Sequence, residues 1–365
     1  MNKKFNIVYY LGAGASALGI PVVNGFKTIP KIFLDFIHKR INEPIQPYLR
    51  NQLKIIEEEI NRRQNDFQFV SSMDTLAKRI FQINGNGLEY SNYKNFLRYL
   101  FYYQHFFNSA GTDKNYGDPR YENLIRTIGE IQNSDSGKML KVEIPNNFSF
   151  LSWNYDVLFE TTLVKDKVNQ SIDNNKIVKH FLGEIQDSIL YDGAKLFKLN
   201  GTAFTGEILD FIHNRDNDSS IRDIEDFFFT SIAGKSFHIS STNTLKFGWE
   251  TQDDGVLKGM LEKTAKKTDI VVIIGYSFPT VNRIIDRAFF DNLSKNTKVY
   301  IQGRDYTDSV RTERLLNQCF INSKPEFKTI PVESGDFFFV PAEYFETKED
   351  ELQRKRGIRA LNSLR

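Results

Sequence analysis

The feature that most limits how this chain can fold is an apolar strand that runs directly into a glycine-rich turn. Residues 6–11 form a nearly continuous apolar run, and Gly12-Ala13-Gly14-Ala15-Ser16 follows at once. A strand without polar alternation is typical of a parallel sheet covered on both faces. Glycines after such a strand let backbone N–H groups approach an anionic diphosphate, because no Cβ obstructs the approach. The turn therefore predicts a phosphate-binding loop, with a purely structural tight turn as the alternative.

Later parts of the chain repeat the pattern of a strand followed by a turn or a helix. Four further apolar runs are found at residues 147–153, 195–199, 269–274 and 298–301. Within residues 280–293, helical spacing places four apolar side chains on one face, namely Ile284, Ile285, Ala288 and Phe289. Strands that alternate with helices predict an α/β fold, with a Rossmann-like parallel sheet, helices on both of its faces, and ligand beyond the carboxyl ends of the strands.

Residues 27–131 interrupt this pattern with apolar residues at helical spacing. They include Ile32, Phe33, Phe36, Ile37, Leu53, Ile56 and Ile60. The aromatic-rich stretch 93–107 predicts core packing, with contact to a partner as the alternative. We therefore expect a discontinuous Rossmann-like core of residues 1–26 and 145–340, a helical insertion at 27–144, and a charged helical tail at 341–365.

The charge balance and the single cysteine exclude several classes of function. The chain has 48 Lys and Arg against 46 Asp and Glu, a net charge of +2, which is too even for a nucleic-acid binder driven by phosphate attraction and leaves direct DNA contact undecided. Cys319, its one cysteine, can form neither an internal disulfide nor a cysteine zinc site, which predicts a reducing, cytoplasmic location. Residues 5–23 resemble a signal peptide in apolar character, but the polar turn inside them favours a buried strand.

We expect neither a metal nor a membrane span. Four of the five histidines show no metal-ligand spacing, namely His38, His105, His213 and His238. Apart from residues 5–23, no stretch approaches the roughly 20 apolar residues that a spanning helix needs.

Three more polar clusters stand where apolar strands end. They are Ser152-Trp153-Asn154-Tyr155-Asp156, Lys198-Leu199-Asn200-Gly201-Thr202 and Ile274-Gly275-Tyr276-Ser277-Phe278-Pro279. Asn supplies a donor and an acceptor and ionised Asp only acceptors, so the first cluster could hold a ribose hydroxyl or a water molecule. Asn and Asp are equally common in plain turns. Because parallel strands share one polarity, we expect all of these turns at one edge of the sheet.

Taken in order, these segments resemble the sirtuin-like family, and in particular its prokaryotic branch associated with antiviral defence. The resemblance covers residues 5–25 and 147–305 and rests on Gly12 to Ser16, Gly19-Ile20-Pro21, Asn154-Tyr155-Asp156, Leu199-Asn200-Gly201 and Gly275 to Pro279. It implies NAD as substrate, with Asn154, Asp156 and Asn200 as catalytic residues. The NAD-binding residues that it implies are Gly12, Ala13, Gly14, Ser16, Pro21, Gly201, Gly275, Ser277 and Phe278.

One departure from the family concerns the general base. Where the family has a His-Gly pair, this chain has Asn200-Gly201, and asparagine cannot accept a proton at neutral pH. Asn200 can still orient a hydroxyl or a water molecule, and His180 or Asp156 could replace the base.

The resemblance implies an NAD glycohydrolase that releases nicotinamide and ADP-ribose and depletes NAD as a defence effector. It also implies control by a homo-oligomer or by a separate subunit that senses infection, such as a DNA-translocase-type ATPase or another nucleotide-binding protein. The first alternative is a non-catalytic NAD or ADP-ribose sensor, and a deacylase is the second.

Overall fold

The computed structural model describes residues 4–18, 29–45, 47–69, 72–105, 118–133, 140–165, 195–203, 245–319, 328–333 and 336–346, and the structural statements below concern these residues. Their strands are β1 Ile7–Leu11, β2 Glu130–Asn133, β3 Leu140–Glu143, β4 Phe148–Ser152, β5 Lys195–Lys198, β6 Ile270–Ile274, β7 Lys298–Gly303 and β8 Lys328–Glu333. Their α-helices are α1 Ile29–Ile41, α2 Pro47–Phe69, α3 Met73–Asn84, α4 Leu88–Tyr103, α5 Pro119–Ile128, α6 Leu158–Lys165, α7 Gly255–Lys267, α8 Arg283–Phe290 and α9 Tyr306–Gln318.

Six of these strands form one parallel sheet in the order β5-β4-β1-β6-β7-β8. Counted along the chain, the sheet strands therefore lie in the order 3-2-1-4-5-6, which is the order of the Rossmann sheet. The central strands β1 and β6 are buried along their whole length, as expected of apolar strands covered on both faces. The predicted α/β fold with a Rossmann-like parallel sheet is confirmed.

Helices cover both faces of the sheet, and alternate residues of each strand face opposite sides. On one face, Ile7, Tyr9 and Leu11 share a hydrophobic core with buried residues of α1 to α5. On the other face, Val8 and Tyr10 pack with buried residues of α7 and α8 and with Leu316 of α9. The helices of the predicted insertion are therefore part of the main core.

Most of α4 is buried, which explains its aromatic content. Every residue from Asn92 to Tyr103 is buried, including Lys94 and Arg98. Lys94 pairs with both carboxylate oxygens of Glu250 at 2.7 Å, so its charge is compensated inside the protein. The prediction of core packing for this stretch is confirmed up to residue 105, where the described part ends.

Two side chains on the predicted apolar faces point to solvent. Ile284 is 49% exposed and Ile32 is 48% exposed, whereas Ile285 and Phe289 are buried. The prediction was wrong at Ile284 because adjacent helical residues lie about 100° apart, and the buried face of α8 follows the i, i+4 pair at 285 and 289.

Several elements were not predicted. The β2-β3 hairpin lies in the region expected to be helical, and α7, α9 and β8 had no assignment. The start of the predicted helical tail forms a short 3-10 turn at Ala342–Phe345, where buried Glu343 accepts hydrogen bonds from Lys298 Nζ at 2.7 Å and Tyr300 OH at 2.8 Å. The tail beyond residue 346, together with Pro21, His180, His213 and His238, lies outside the described residues.

In the described part of the chain, no helix combines the length and apolar character needed to cross a membrane.

Candidate functional site

The carboxyl ends of four neighbouring strands lie side by side at one edge of the sheet. Leu11 at the end of β1 aligns with Ser152 of β4 on one side and with Ile274 of β6 on the other. Ser152 in turn aligns with Lys198 at the end of β5. The four polar segments noted in the sequence therefore follow strands that end at the same edge. The order of strands reverses between β1 and β6, and in doubly wound sheets ligands bind beyond such a switch point.

At the switch point, the turn after β1 packs directly against the turn after β6. A Cβ on Gly14 would lie 2.7 Å from Gly275 Cα, and one on Gly12 would lie 2.6 Å from the Gly275 carbonyl oxygen. Gly275 has φ +61°, and a Cβ there would lie 2.4 Å from Ala15 N. These glycines are therefore required for contact between two backbones, which gives them a structural role beside the predicted binding role.

The hydrogen bonds of the first turn leave few of its amides for a ligand. Gly12 N donates to Ile274 O and Gly14 N to Gly275 O, each at 2.9 Å, and Ala15 N donates to Gly12 O at 2.8 Å. Ala13 is exposed, so its side of the turn faces solvent. The turn thus offers fewer free donors than a diphosphate-binding loop usually provides.

Asn154 is held from the side of the first turn. Its Nδ2 donates to Ser16 Oγ at 2.9 Å, and Ser16 Oγ lies 3.3 Å from the hydroxyl of Tyr121 on α5. Ser16 is 2% exposed and its hydroxyl is in contact with Asn154 and Tyr121, so its contact with NAD stays a prediction. Among the described residues, no donor reaches the buried Oδ1 of Asn154.

Asn200 shows the same arrangement on the neighbouring strand. Its Nδ2 donates to the hydroxyl of Tyr155 at 3.1 Å and makes a longer contact of 3.4 Å with Trp153 O. Its Oδ1 is also buried and has no donor within the described part of the chain. A buried acceptor without a donor costs free energy, on the order of 1–3 kcal/mol, unless a ligand or water supplies one.

Asp156 is a capping residue as well as a candidate for the site. Its Oδ1 accepts a hydrogen bond from Leu158 N at 3.0 Å at the start of α6. Its backbone carbonyl accepts one from Lys198 Nζ, which pairs with buried Glu160 at 3.1 Å. Burial raises the pKa of the Glu160 carboxyl, and the charge of Lys198 opposes this shift. Lys198, paired with Glu160, therefore fixes the backbone at Asp156.

A second buried cluster joins the segments that follow β4 and β6. The carboxylate of Asp286 on α8 accepts hydrogen bonds from Tyr10 OH at 2.5 Å, Tyr276 OH at 2.9 Å and Trp153 Nε1 at 3.2 Å. Burial raises its pKa to about 7, although these donors lower it. Asp286 therefore connects one central strand with two of the segments at the sheet edge.

The remaining predicted NAD-binding residues differ in their surroundings. Ser277 is exposed, and Gly201 is half-buried with φ +64°. Phe278 is 2% exposed and packs against Tyr10 and Phe290, so its ring belongs to the core. Its φ of +49° is unusual for a bulky residue and indicates that packing determines this turn. Its contact with NAD stays a prediction.

Sequence reasoning did not identify four of the residues that shape this edge. They are Asp74, Arg120, Tyr121 and Asp286, and the first three lie on helices between β1 and β4. No sequence motif identifies these residues, because it is the packing of their helices that brings them close to the site. Within the described residues, no group of three or more His, Cys, Asp and Glu side chains could hold a metal ion.

No protein-family model matches the chain, and no curated protein matches it. The resemblance to the sirtuin-like family therefore stays a prediction from the sequence motifs alone.

Proposed function

We propose that this protein binds NAD across the edge formed by β1, β4, β5 and β6 and cleaves the bond between nicotinamide and ribose. The observation that carries the proposal is the pair of buried carbonyl oxygens, Asn154 Oδ1 and Asn200 Oδ1, that lack donors among the described residues. They belong to segments that follow adjacent strands, and each amide nitrogen is already bound to the protein. A fitting ligand must bring hydroxyl or amide donors to both.

NAD satisfies this requirement. Ribose hydroxyls and the nicotinamide carboxamide are donors, and the two asparagines would hold them as acceptors. The glycine turn fits the diphosphate less well, because Gly12 N, Gly14 N and Ala15 N are bonded to protein carbonyls. The amide of Ala13 and the exposed hydroxyl of Ser277 are the donors we assign to the rest of the dinucleotide.

Cleavage of the bond between nicotinamide and ribose does not depend on a strong general base. When the C1′–N bond breaks, its electron pair leaves with nicotinamide and neutralises the positively charged ring, so the leaving group needs no proton. A water molecule forms the new bond to C1′ and releases one proton to solvent. Asn154 and Asn200 orient the ribose and the water, and the surrounding buried side chains limit access of other water molecules.

A second candidate function is a sensor that binds NAD or ADP-ribose without cleaving it. Asn200 in place of a histidine favours it, because no imidazole base stands at this position. Both functions use the same acceptors, and turnover distinguishes them. Regulation by a homo-oligomer or by an infection-sensing ATPase subunit remains part of the proposal on the strength of the family likeness.

The test is nicotinamide release by Asn154→Ala, compared with wild type and with Asn147→Ala. Asn147 precedes the same strand at its opposite end, where its Nδ2 donates to Phe5 O at 2.8 Å. We expect Asn154→Ala to lower turnover about a hundredfold and Asn147→Ala to retain wild-type turnover. Chromatography of the products measures the release, and circular dichroism checks the fold. Equal turnover in folded Asn154→Ala and wild type would place the active site elsewhere.

A further inference from the structure

A chain of hydrogen bonds leads from the helical insertion to Asn200. Tyr155 donates its hydroxyl hydrogen to Asp74 Oδ1 of α3 at 2.7 Å. The same hydroxyl oxygen accepts a hydrogen from Asn200 Nδ2 at 3.1 Å. Tyr155 is buried between Phe101, at 5.7 Å between ring centroids, and Phe247, at 6.0 Å, so its ring has a defined position.

The direction of these bonds determines which way the Asn200 amide faces. A tyrosine hydroxyl has a single hydrogen to donate, and here Asp74 takes it. Only the oxygen of Tyr155 is then presented to Asn200, so the amide nitrogen must face Tyr155. A rotated amide would place Oδ1 against two acceptors, the Tyr155 oxygen and Trp153 O, with no hydrogen between them.

Removal of Asp74 would weaken this preference, because only the longer contact with Trp153 O would still favour the amide nitrogen on this side. Tyr155 could then donate its hydrogen to Asn200 Oδ1, and the amide could adopt either orientation. In the second orientation the free acceptor that faces the ligand is replaced by an NH₂ group. The acceptor at Asp74 therefore matters more than its charge, and an asparagine at this position keeps it.

We infer that Asp74 and Tyr155 are positioning residues that fix the Asn200 amide with Oδ1 free to accept a hydrogen bond from the ligand. This inference rests on the proposed NAD site and deepens it, because it makes α3 of the insertion part of the site. It also answers how asparagine serves where the sirtuin pattern has histidine. A single orientation makes Asn200 a defined acceptor for a ribose hydroxyl or for water.

The experiment compares four variants of the full chain in NAD cleavage. Asp74→Leu removes the acceptor, Tyr155→Phe removes the hydroxyl, and Asp74→Asn keeps the acceptor without the charge. Tyr93→Phe is the matched control, because the buried Tyr93 hydroxyl donates to Met73 O at 3.0 Å and so loses one bond to the same helix. We expect about a tenfold lower kcat for Asp74→Leu and Tyr155→Phe, with KM changed less than about threefold.

Asp74→Asn should recover most of the turnover lost in Asp74→Leu, and Tyr93→Phe should match wild type. In an Asn200→Ala background, Asp74→Leu should cause no further loss, because the residue it orients is gone. Equal damage by Asp74→Asn and Asp74→Leu, equal effects of Tyr155→Phe and Tyr93→Phe, or a full effect of Asp74→Leu in the Asn200→Ala background would each overturn the inference. Should Asp74→Leu fail to fold, Tyr155→Phe with and without Asn200→Ala decides the same question.

The two proposals fail in different ways. A wild type that binds NAD without cleaving it would end the hydrolase proposal, and the dissociation constants of NAD and ADP-ribose for the same variants would then test the inference. The expected pattern of losses is the same, because the Asn200 acceptor would serve binding. A wild type that cleaves NAD while every variant does so equally would overturn the inference alone. Absence of binding to both compounds overturns both.

Discussion

At the scale of single residues, the candidate site depends on side chains whose hydrogen bonds are only half complete. Asn154 and Asn200 each use the amide nitrogen inside the protein and leave a buried oxygen without a donor among the described residues. An unpaired buried acceptor is unfavourable, so each oxygen is a candidate to accept a hydrogen bond from a ligand or from water. The glycines of the neighbouring turns differ from these asparagines. Close contacts between the two backbones already explain why Gly12, Gly14 and Gly275 have no side chain.

Gly14→Ala tests whether glycine is needed at this position for contact between the two turns. Because a Cβ at this position would lie 2.7 Å from Gly275 Cα, we expect the variant to separate the two turns and to lower the free energy of unfolding by about 1–3 kcal/mol. Gly259→Ala on α7 is the control, since its Cβ would meet nothing within 4 Å and alanine favours a helix. Urea denaturation measures both. A Gly14→Ala protein as stable as wild type that has lost NAD binding would restore the simple phosphate-loop explanation.

Variants of Asn200 distinguish a hydrolase from a sensor. For a hydrolase, Asn200→Ala should lower kcat about a hundredfold and change the dissociation constant of NAD less, because the lost contact matters mainly in the transition state. For a sensor, wild type shows no turnover, and Asn200→His introduces a group that titrates near neutral pH and can act as a base. Nicotinamide release at matched NAD occupancy, with and without a partner, measures this. A silent wild type beside an active histidine variant would favour the sensor.

At the scale of elements, the sequence predicted five of the six strands of the parallel sheet but not the helical residues that support the site. Five strands are apolar runs that can be recognised from the sequence alone, namely β1, β4, β5, β6 and β7. β8 reads Lys-Thr-Ile-Pro-Val-Glu, a mixed pattern with a proline, which a strand tolerates at the sheet edge where this one lies. The contributions of Asp74 and Arg120 could not be predicted from the sequence, because they depend on how α3 and α5 pack against the sheet. Such packing involves contacts between distant parts of the chain.

Helix α5 also holds the first turn through a buried ion pair. Arg120 donates to Ala15 O at 3.1 Å, pairs with Asp118 at 2.6 Å and lies 5.0 Å from the centre of the Phe338 ring. Asp118 is fully buried and caps the helix through Arg120 N. The arrangement couples the insertion to the turn at the switch point, so changes in α5 should reach the site.

Arg120→Met should lower the free energy of unfolding by about 3 kcal/mol, because it leaves the Asp118 carboxylate buried without its partner. Adding Asp118→Asn removes that charge and keeps the helix cap, so the double variant should regain most of the lost stability. Chemical denaturation of the two single variants and the double variant measures the coupling. Strictly additive losses would show that the ion pair does not hold this part of the fold.

Considering the molecule as a whole, buried polar groups on both faces of the sheet support the candidate site. On one face, α3 and α5 of the insertion contribute Asp74 and Tyr121 to the hydrogen bonds that orient Asn200 and Asn154. On the other, Asp286 of α8 ties the segments after β4 and β6 to the central strand β1. The edge where the ligand is proposed to bind is thus supported from both faces, and its geometry should respond to the global stability of the fold.

That stability should depend on pH through Asp286. Its pKa is raised from the usual 3.8 to about 7 by burial, so between these values the folded protein keeps a proton that the unfolded chain has released. The free energy of unfolding should therefore fall as pH rises from about 4 to about 7, by at most about 1.4 kcal/mol per pH unit from this group, and level off above. Three ionisable groups influence this titration, namely Tyr10, Tyr276 and Arg283.

Asp286→Asn isolates the effect, because asparagine can still accept bonds from the surrounding donors but does not titrate. The difference between wild type and this variant, measured by denaturation at several pH values, should show the fall between about pH 4 and 7. Asp291→Asn is the control, since Asp291 follows the same helix and is exposed. If wild type and Asp286→Asn change in parallel over the whole range, Asp286 is ionised throughout. Its carboxylate would then be stabilised by the three donors more strongly than burial opposes it.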